Sequence, residues 1–158
     1  MQQGLTHISH PDGVAPSDGY THVVTGPGRL VVLSGQMPFD ARGDLVAVGD
    51  PAGQARQVFQ NLRGCLAAAG ASFDDLVKLT YFVTDISHVP TILAVRDEFV
   101  DTARPPASTV VQVVALFLPE LLLEVDGLAI VADGSGPTVR AKNSAKNSAK
   151  NSAKNGAS

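Results

Sequence analysis

The stretch from Asp50 to Gly70 constrains this chain more than any other. Asp50 precedes Pro51, which pairs an N-cap carboxylate with proline at the first helical position, where no N–H is missed. Ala55, Val58, Phe59, Leu62, Cys65, Leu66 and Ala69 then recur at the i, i+3, i+4 spacing of one helical face. Gly70 closes the run as a residue able to take a left-handed C′ conformation. The spacing predicts an amphipathic helix whose apolar stripe needs a surface to cover.

That surface is expected from the apolar, β-branched runs around it. Residues 30–36 (LVVLSGQ) lie between Gly26-Pro27-Gly28 and Pro38 and predict a strand, with residues 20–25 as its hairpin partner across the turn. Residues 76–84 (LVKLTYFVT) predict another strand. A second helix is expected over 87–99, with Ile92, Val95 and Phe99 inward and Arg96, Asp97 and Glu98 mostly outward. Arg104-Pro105-Pro106 breaks the chain, and residues 107–116 and 121–131 predict two strands joined at 117–120. The order strand, strand, helix, strand, helix, strand, strand implies an α+β fold, with two helices on one face of a mixed sheet. Val110, Val111, Val113 and Val114, then Leu121, Leu122 and Leu123, put apolar groups on both faces of the last strands. One helical layer covers one face only, so the other is expected to bury against a second copy of the chain.

Charge divides the chain in two. Residues 1–134 hold seven Lys/Arg against all fifteen Asp/Glu, a net charge of −8, whereas residues 135–158 hold five Lys/Arg and no acid. The tail repeats Ala-Lys-Asn-Ser and carries almost nothing apolar, so it cannot offset the entropy of ordering. The expected organisation is an N-terminal extension over 1–16, one domain over 17–133, and a disordered basic tail over 134–158. The tail reads as a solubilising extension or a weak electrostatic arm. The single cysteine, Cys65, excludes an internal disulfide and a multi-thiolate metal site in one chain. No apolar run approaches the roughly 18–20 residues of a membrane span, and the start lacks a signal-peptide pattern. A cytoplasmic protein with no membrane partner is expected.

The segments GYTHVV, LVVLSGQMPFDARGDLV, QARQVFQNLRGCLAAAGAS, DLVKLTYFVTD and PPASTVVQVVAL…LLLEVDGLAIV resemble, in that order, the YjgF/Rid family. These are the reactive-intermediate (imine) deaminases, often labelled endoribonuclease L-PSP. The resemblance spans about residues 17–132. It implies a chorismate-mutase-like α+β sandwich, a homotrimer with clefts between subunits, and hydrolysis of the enamine and imine products of pyridoxal-phosphate enzymes to 2-oxo acids and ammonia without metal or cofactor. It also implies site residues. The family's carboxylate-binding arginine lies in Pro-Ala-Arg-Ser/Thr, and here that motif reads Pro106-Ala107-Ser108-Thr109, so Ser108 replaces the arginine. Glu124 matches the acid that positions the attacking water. Val110 matches the residue whose carbonyl helps hold that water. Gly35 matches the glycine that lets backbone approach the ligand, and Tyr20 a substrate-contacting tyrosine, with His22 two residues on.

Each has a plainer reading. Glu124 could be an interface carboxylate, Tyr20 a core aromatic, and His22 a half-buried strand histidine. His7, His10 and His88 read as surface or turn residues. His7, His10 and Asp12 sit in a Pro/Gly-rich terminus poorly suited to a metal site, and Cys65 reads as packing. Ser108 has no adjacent base to make it a nucleophile. The Gly26–Gly28 turn precedes a strand rather than a helix, so it is no phosphate loop. Three functions follow: an imine hydrolase with altered substrate choice, which could borrow a cation such as Arg104; a non-catalytic small-molecule-binding trimer; and an RNA-binding or RNA-cleaving protein. The acidic body argues against the last.

Overall fold

The computed structural model describes residues 4–132. Its strands are β1 (Thr6–Ile8), β2 (Val23–Thr25), β3 (Arg29–Gln36), β4 (Leu76–Val83), β5 (Ala107–Gln112) and β6 (Leu123–Val131). Its α-helices are α1 (Pro51–Ala68) and α2 (Val89–Arg96). The tail over 134–158 lies outside the described residues.

Helix α1 has the ends that the sequence predicts. The Asp50 carboxylate accepts from the Ala52 N–H at 3.0 Å. At the other end Gly70 takes φ +68°, and the Ala71 N–H reaches back to the Leu66 carbonyl at 2.9 Å, which satisfies carbonyls the helix leaves open. Arg29 adds a charged donor there, Nη2 to the Ala69 carbonyl at 2.7 Å. Ala55, Val58, Phe59, Leu62 and Leu66 are buried against Val31 and Leu33 of β3, Leu79, Tyr81 and Val83 of β4, and Val125 of β6. Gln54 is buried among them, because its amide donates to the Glu120 carbonyl and accepts from the Leu122 N–H, both at 2.9 Å. It pins the entry to β6 onto α1.

The main sheet runs β3-β6-β4-β5. β6 is antiparallel to both β3 and β4, and β5 is parallel to β4. The two helices cover one face, as expected for this α+β class. Strands β5 and β6 follow one another in the chain but have β4 between them, since α2 serves as the crossover that a parallel β4–β5 pair needs.

Three expectations are corrected. Strand β2 is not the hairpin partner of β3. It pairs with β1 instead, Thr6 opposite Thr25, inside the stretch expected to be an extension. The Gly26–Gly28 turn carries the chain away, and Gly28 (φ +143°) lies so near the Val131 carbonyl that a Cβ there would sit 2.3 Å from it. The long apolar β3 then takes the long apolar β6 as partner, Arg29 opposite Val131. Second, the α-helix of 87–99 is shorter at both ends, with a 3-10 turn at Ile86–His88 before it. Third, Arg96 points inward and is only 5% exposed.

The other face of the sheet is uncovered in the single chain. Alternation places Leu30 and Val32 of β3, Phe82 of β4, Val111 of β5, and Leu128 and Ile130 of β6 on it, and Val32 is 70% exposed. Among the described residues, no helix is long and apolar enough to cross a membrane.

Candidate functional site

The site residues fall into two groups. The first surrounds the start of β5. Pro105 and Pro106 are buried, and their carbonyls are held from the N-terminal side of the chain. Thr21 donates its N–H to the Pro106 carbonyl at 3.2 Å and its hydroxyl to the Pro105 carbonyl at 2.5 Å. His7 Nδ1 lies 3.3 Å from the same Pro105 oxygen. These contacts set half-buried Tyr20 beside the segment that leads into Ser108. The Ser108 hydroxyl is 3.5 Å from the Pro106 carbonyl, a weak contact that leaves its lone pairs open. His22 meets the Tyr20 ring edge-on, with centroids 5.1 Å apart, and its Nε2–H donates to the Ala15 carbonyl at 2.7 Å. The histidine therefore braces the tyrosine and the loop before it.

The second group lies where β3 meets β6. The register shifts between Leu33 and Gln36, a bulge that displaces Ser34 and Gly35 from regular pairing. The Glu124 side chain lies across the gap. A Cβ on Gly35 would be 1.8 Å from Glu124 Oε1 and 2.7 Å from Cδ, so only glycine leaves room for this carboxylate. Glu124 is partly buried and, among the described residues, makes no hydrogen bond or ion pair that would occupy it. It is a carboxylate held by shape, with its lone pairs available to a water.

One chain does not bring the two groups together. Ser108 is level with Leu79 and Gly127, whereas Glu124 is level with Phe82 and Val111. That is three residues along and two strands across, on the order of 14 Å from strand geometry. The faces differ too. Val110, two residues from Ser108, packs into the core on the helical side, and Glu124 alternates with buried Leu123 and Val125 to face the open side. A site that uses both groups takes one from each of two chains.

Of the cations near the first group, Arg104 and Arg96 are paired with carboxylates and Lys78 meets a neutral hydroxyl. Arg104 is exposed and pairs with Asp101 at 3.2 Å. Arg96 donates Nε and Nη2 to Asp97 Oδ1 at 2.8 and 2.6 Å, and Nη1 to the Gly19 carbonyl at 2.8 Å. Lys78, on the open face, bonds the Thr109 hydroxyl. Burial pulls its pKa down, against the attraction of Asp126. The sequence reading passed over Lys78 and set Arg96 outward. For Arg96 a signal was present, because it stands four residues after Ile92 and so shares the inward stripe. Among the described residues no three His, Cys, Asp or Glu side chains gather as a metal site.

These features define a class: an α+β protein with two helices on one face of a mixed sheet, and a ligand site split between an edge strand and a β3–β6 bulge. Comparison with known proteins narrows the class. The model of the family described as Endoribonuclease L-PSP matches residues 11–131. The 3-aminoacrylate deaminase RutC of Acinetobacter baylyi is 34% identical over 121 residues, 77% of this chain and 94% of that protein. The 2-iminobutanoate/2-iminopropanoate deaminase of Salmonella typhimurium is 34% identical over 105 residues, covering 65% and 80%. A crystal structure of YyfB from Yersinia pestis, a Rid-family protein of unknown function, aligns with TM-score 0.69 and 32% identity over 83% of this chain and all of that one. The chain belongs to the Endoribonuclease L-PSP family, the YjgF/Rid proteins.

Proposed function

We propose that three copies assemble through the open sheet face, so that the Tyr20/Ser108 group of one subunit faces the Gly35/Glu124 group of the next. We further propose that each cleft hydrolyses small enamines or imines that carry no carboxylate at the Ser108 position. The observation that carries this reading is the serine itself, with Arg96 and Arg104 committed elsewhere. A guanidinium grips a carboxylate through two charge-assisted hydrogen bonds, whereas one hydroxyl offers a single neutral one. The Glu124 carboxylate, without an ion pair among the described residues, also repels an anionic ligand and suits a neutral or protonated imine. Membership of a family whose relatives include named imine and enamine deaminases supports the reaction type.

The chemistry follows from the groups present. An enamine first tautomerises to the imine. The imine nitrogen takes a proton from solvent. Glu124 takes a proton from a water as its oxygen adds to the iminium carbon, which leaves a neutral carbinolamine. Glu124 then gives that proton to the nitrogen, the C–N bond breaks as the C=O bond forms, and ammonia leaves while the hydroxyl proton returns to solvent. The sum is imine plus water to carbonyl compound plus ammonia. General base catalysis of this kind is worth about 10²–10⁴-fold. The Val110 carbonyl helps hold the water, Gly35 lets the ligand approach the backbone, and Tyr20 packs against the substrate.

Two measurements test the proposal. Sedimentation of the full chain at micromolar concentration should give about three times the chain mass of 16.4 kDa, because the open apolar face requires cover. A stable monomer would remove the shared cleft. Ammonia release from freshly generated carboxylate-free imines should exceed the uncatalysed rate. Tight binding of such compounds without ammonia release would favour the second reading, a binding trimer, which the loss of the arginine also suits.

A further inference from the structure

We propose that Arg96 is a positioning residue for the substrate cleft: from helix α2 it holds residues 19–21 in place and so sets Tyr20 beside the segment that leads to Ser108. This rests on the reading that Tyr20 and Ser108 line the site. Arg96 is the last residue of α2 and is 5% exposed. Its Nη1 donates to the Gly19 carbonyl, 77 positions away in the chain, while Nε and Nη2 clamp onto one oxygen of Asp97. The Tyr81 hydroxyl is buried beside the guanidinium. Gly19 takes φ +71°, a conformation that suits glycine, and this turns its carbonyl toward the arginine.

On the other side of Tyr20, Thr21 is tied by two hydrogen bonds to Pro105 and Pro106. Tyr20 is therefore the residue between two adjacent anchors, one on α2 and one on the lead-in to β5. Remove the α2 anchor and the backbone around the ring keeps only the β5 anchor, with His22 still edge-on against the ring itself.

Stability is a poor explanation for such an arginine. Desolvating a buried cation costs about as much as its ion pair returns, and an apolar side chain of similar length often serves the core equally well. Asp97 is partly exposed, with 43% side-chain exposure, so it regains water if the arginine is lost. What an apolar residue cannot do is bond the Gly19 carbonyl.

The test compares R96M and R96K with the wild-type full chain. R96M should melt within a few degrees of wild type. Its Thr21 amide, now anchored on one side only, should exchange with solvent at least about tenfold faster, while amides of β4 and β6 keep their protection. KM for a carboxylate-free imine should rise about five- to tenfold with kcat within about twofold, the sign of a lost binding contact. R96K, which keeps a donor but not the planar fork, should fall between. An unchanged Thr21 amide in R96M would overturn the proposal whatever the activity. So would loss of protection throughout the sheet or failure to fold, since either makes Arg96 a core residue. If Thr21 loosens but none of the three proteins turns over any imine, the positioning stands and the catalytic reading falls.

Discussion

Replacing Ser108 with arginine should raise kcat/KM for 2-aminoacrylate by about tenfold, less than the roughly 100-fold that the new carboxylate grip alone would give. Two charge-assisted hydrogen bonds to the substrate carboxylate are worth about 3 kcal/mol together, and each 1.4 kcal/mol is tenfold. β5 is the edge strand, so a long side chain has an exit past the sheet. Ser108 is half-buried on the helical side, and part of the gain will be lost to repacking, which costs about 1–3 kcal/mol when extra atoms enter a filled site. Adding E124Q to S108R should abolish the gain, because an amide keeps the shape of the carboxylate but is a far poorer proton acceptor. Assembling the S108R/E124Q chain with wild type should return activity, since each chain then supplies what its neighbour lacks. Stopped or steady-state ammonia release reads all three. A folded S108R protein with no gain would mean that the cleft has been rebuilt for another ligand.

The second large effect is expected at Gly35. In G35A the new methyl would overlap the Glu124 carboxylate, and the clash extends to Cγ at 3.0 Å, so the side chain must swing out of its place. The backbone at Gly35 needs no positive φ, so little else has to move. Imine hydrolysis should fall by about 100-fold or more, the usual worth of a positioned base, while the melting temperature changes by a few degrees at most. Ammonia release and thermal unfolding, measured side by side, check this. Full activity in a folded G35A protein would show that Glu124 is not the proton acceptor.

Local signals made much of the fold legible. Asp50-Pro51, the apolar spacing and Gly70 bounded α1 to within a residue of its observed end, because caps and periodicity act within a few residues. The run 76–84 matched β4 to one residue. Pairing was less legible. Strands β1 and β2 are three residues each and meet through a long loop, and nothing in either segment names the other. Gln54 was passed over because a polar side chain buries only where distant carbonyl and N–H groups receive it, here at Glu120 and Leu122. At the site, the resemblance supplied the residue types. Their grouping depends on the β3–β6 bulge and on sheet register, which put Gly35 under Glu124 and Ser108 two strands away. Arg96 shows the limit of reading charge as outward: its position on the helix said inward, and the inward place is explained only by a carbonyl at Gly19.

Substrate choice turns on the serine at position 108, and the most direct test compares two imines that differ only at the carboxylate. The measurement is ammonia release by the wild-type full chain from a carboxylate-free imine and from its carboxylate-bearing counterpart, each freshly generated, with kcat/KM taken for both. The serine at position 108 and the Glu124 carboxylate predict a preference of about 100-fold or more for the carboxylate-free compound. Turnover of the carboxylate-bearing imine at an ordinary enzymatic rate, on the order of 10 per second, with no such preference, would contradict the account and would require a cation in the cleft that Ser108 does not supply.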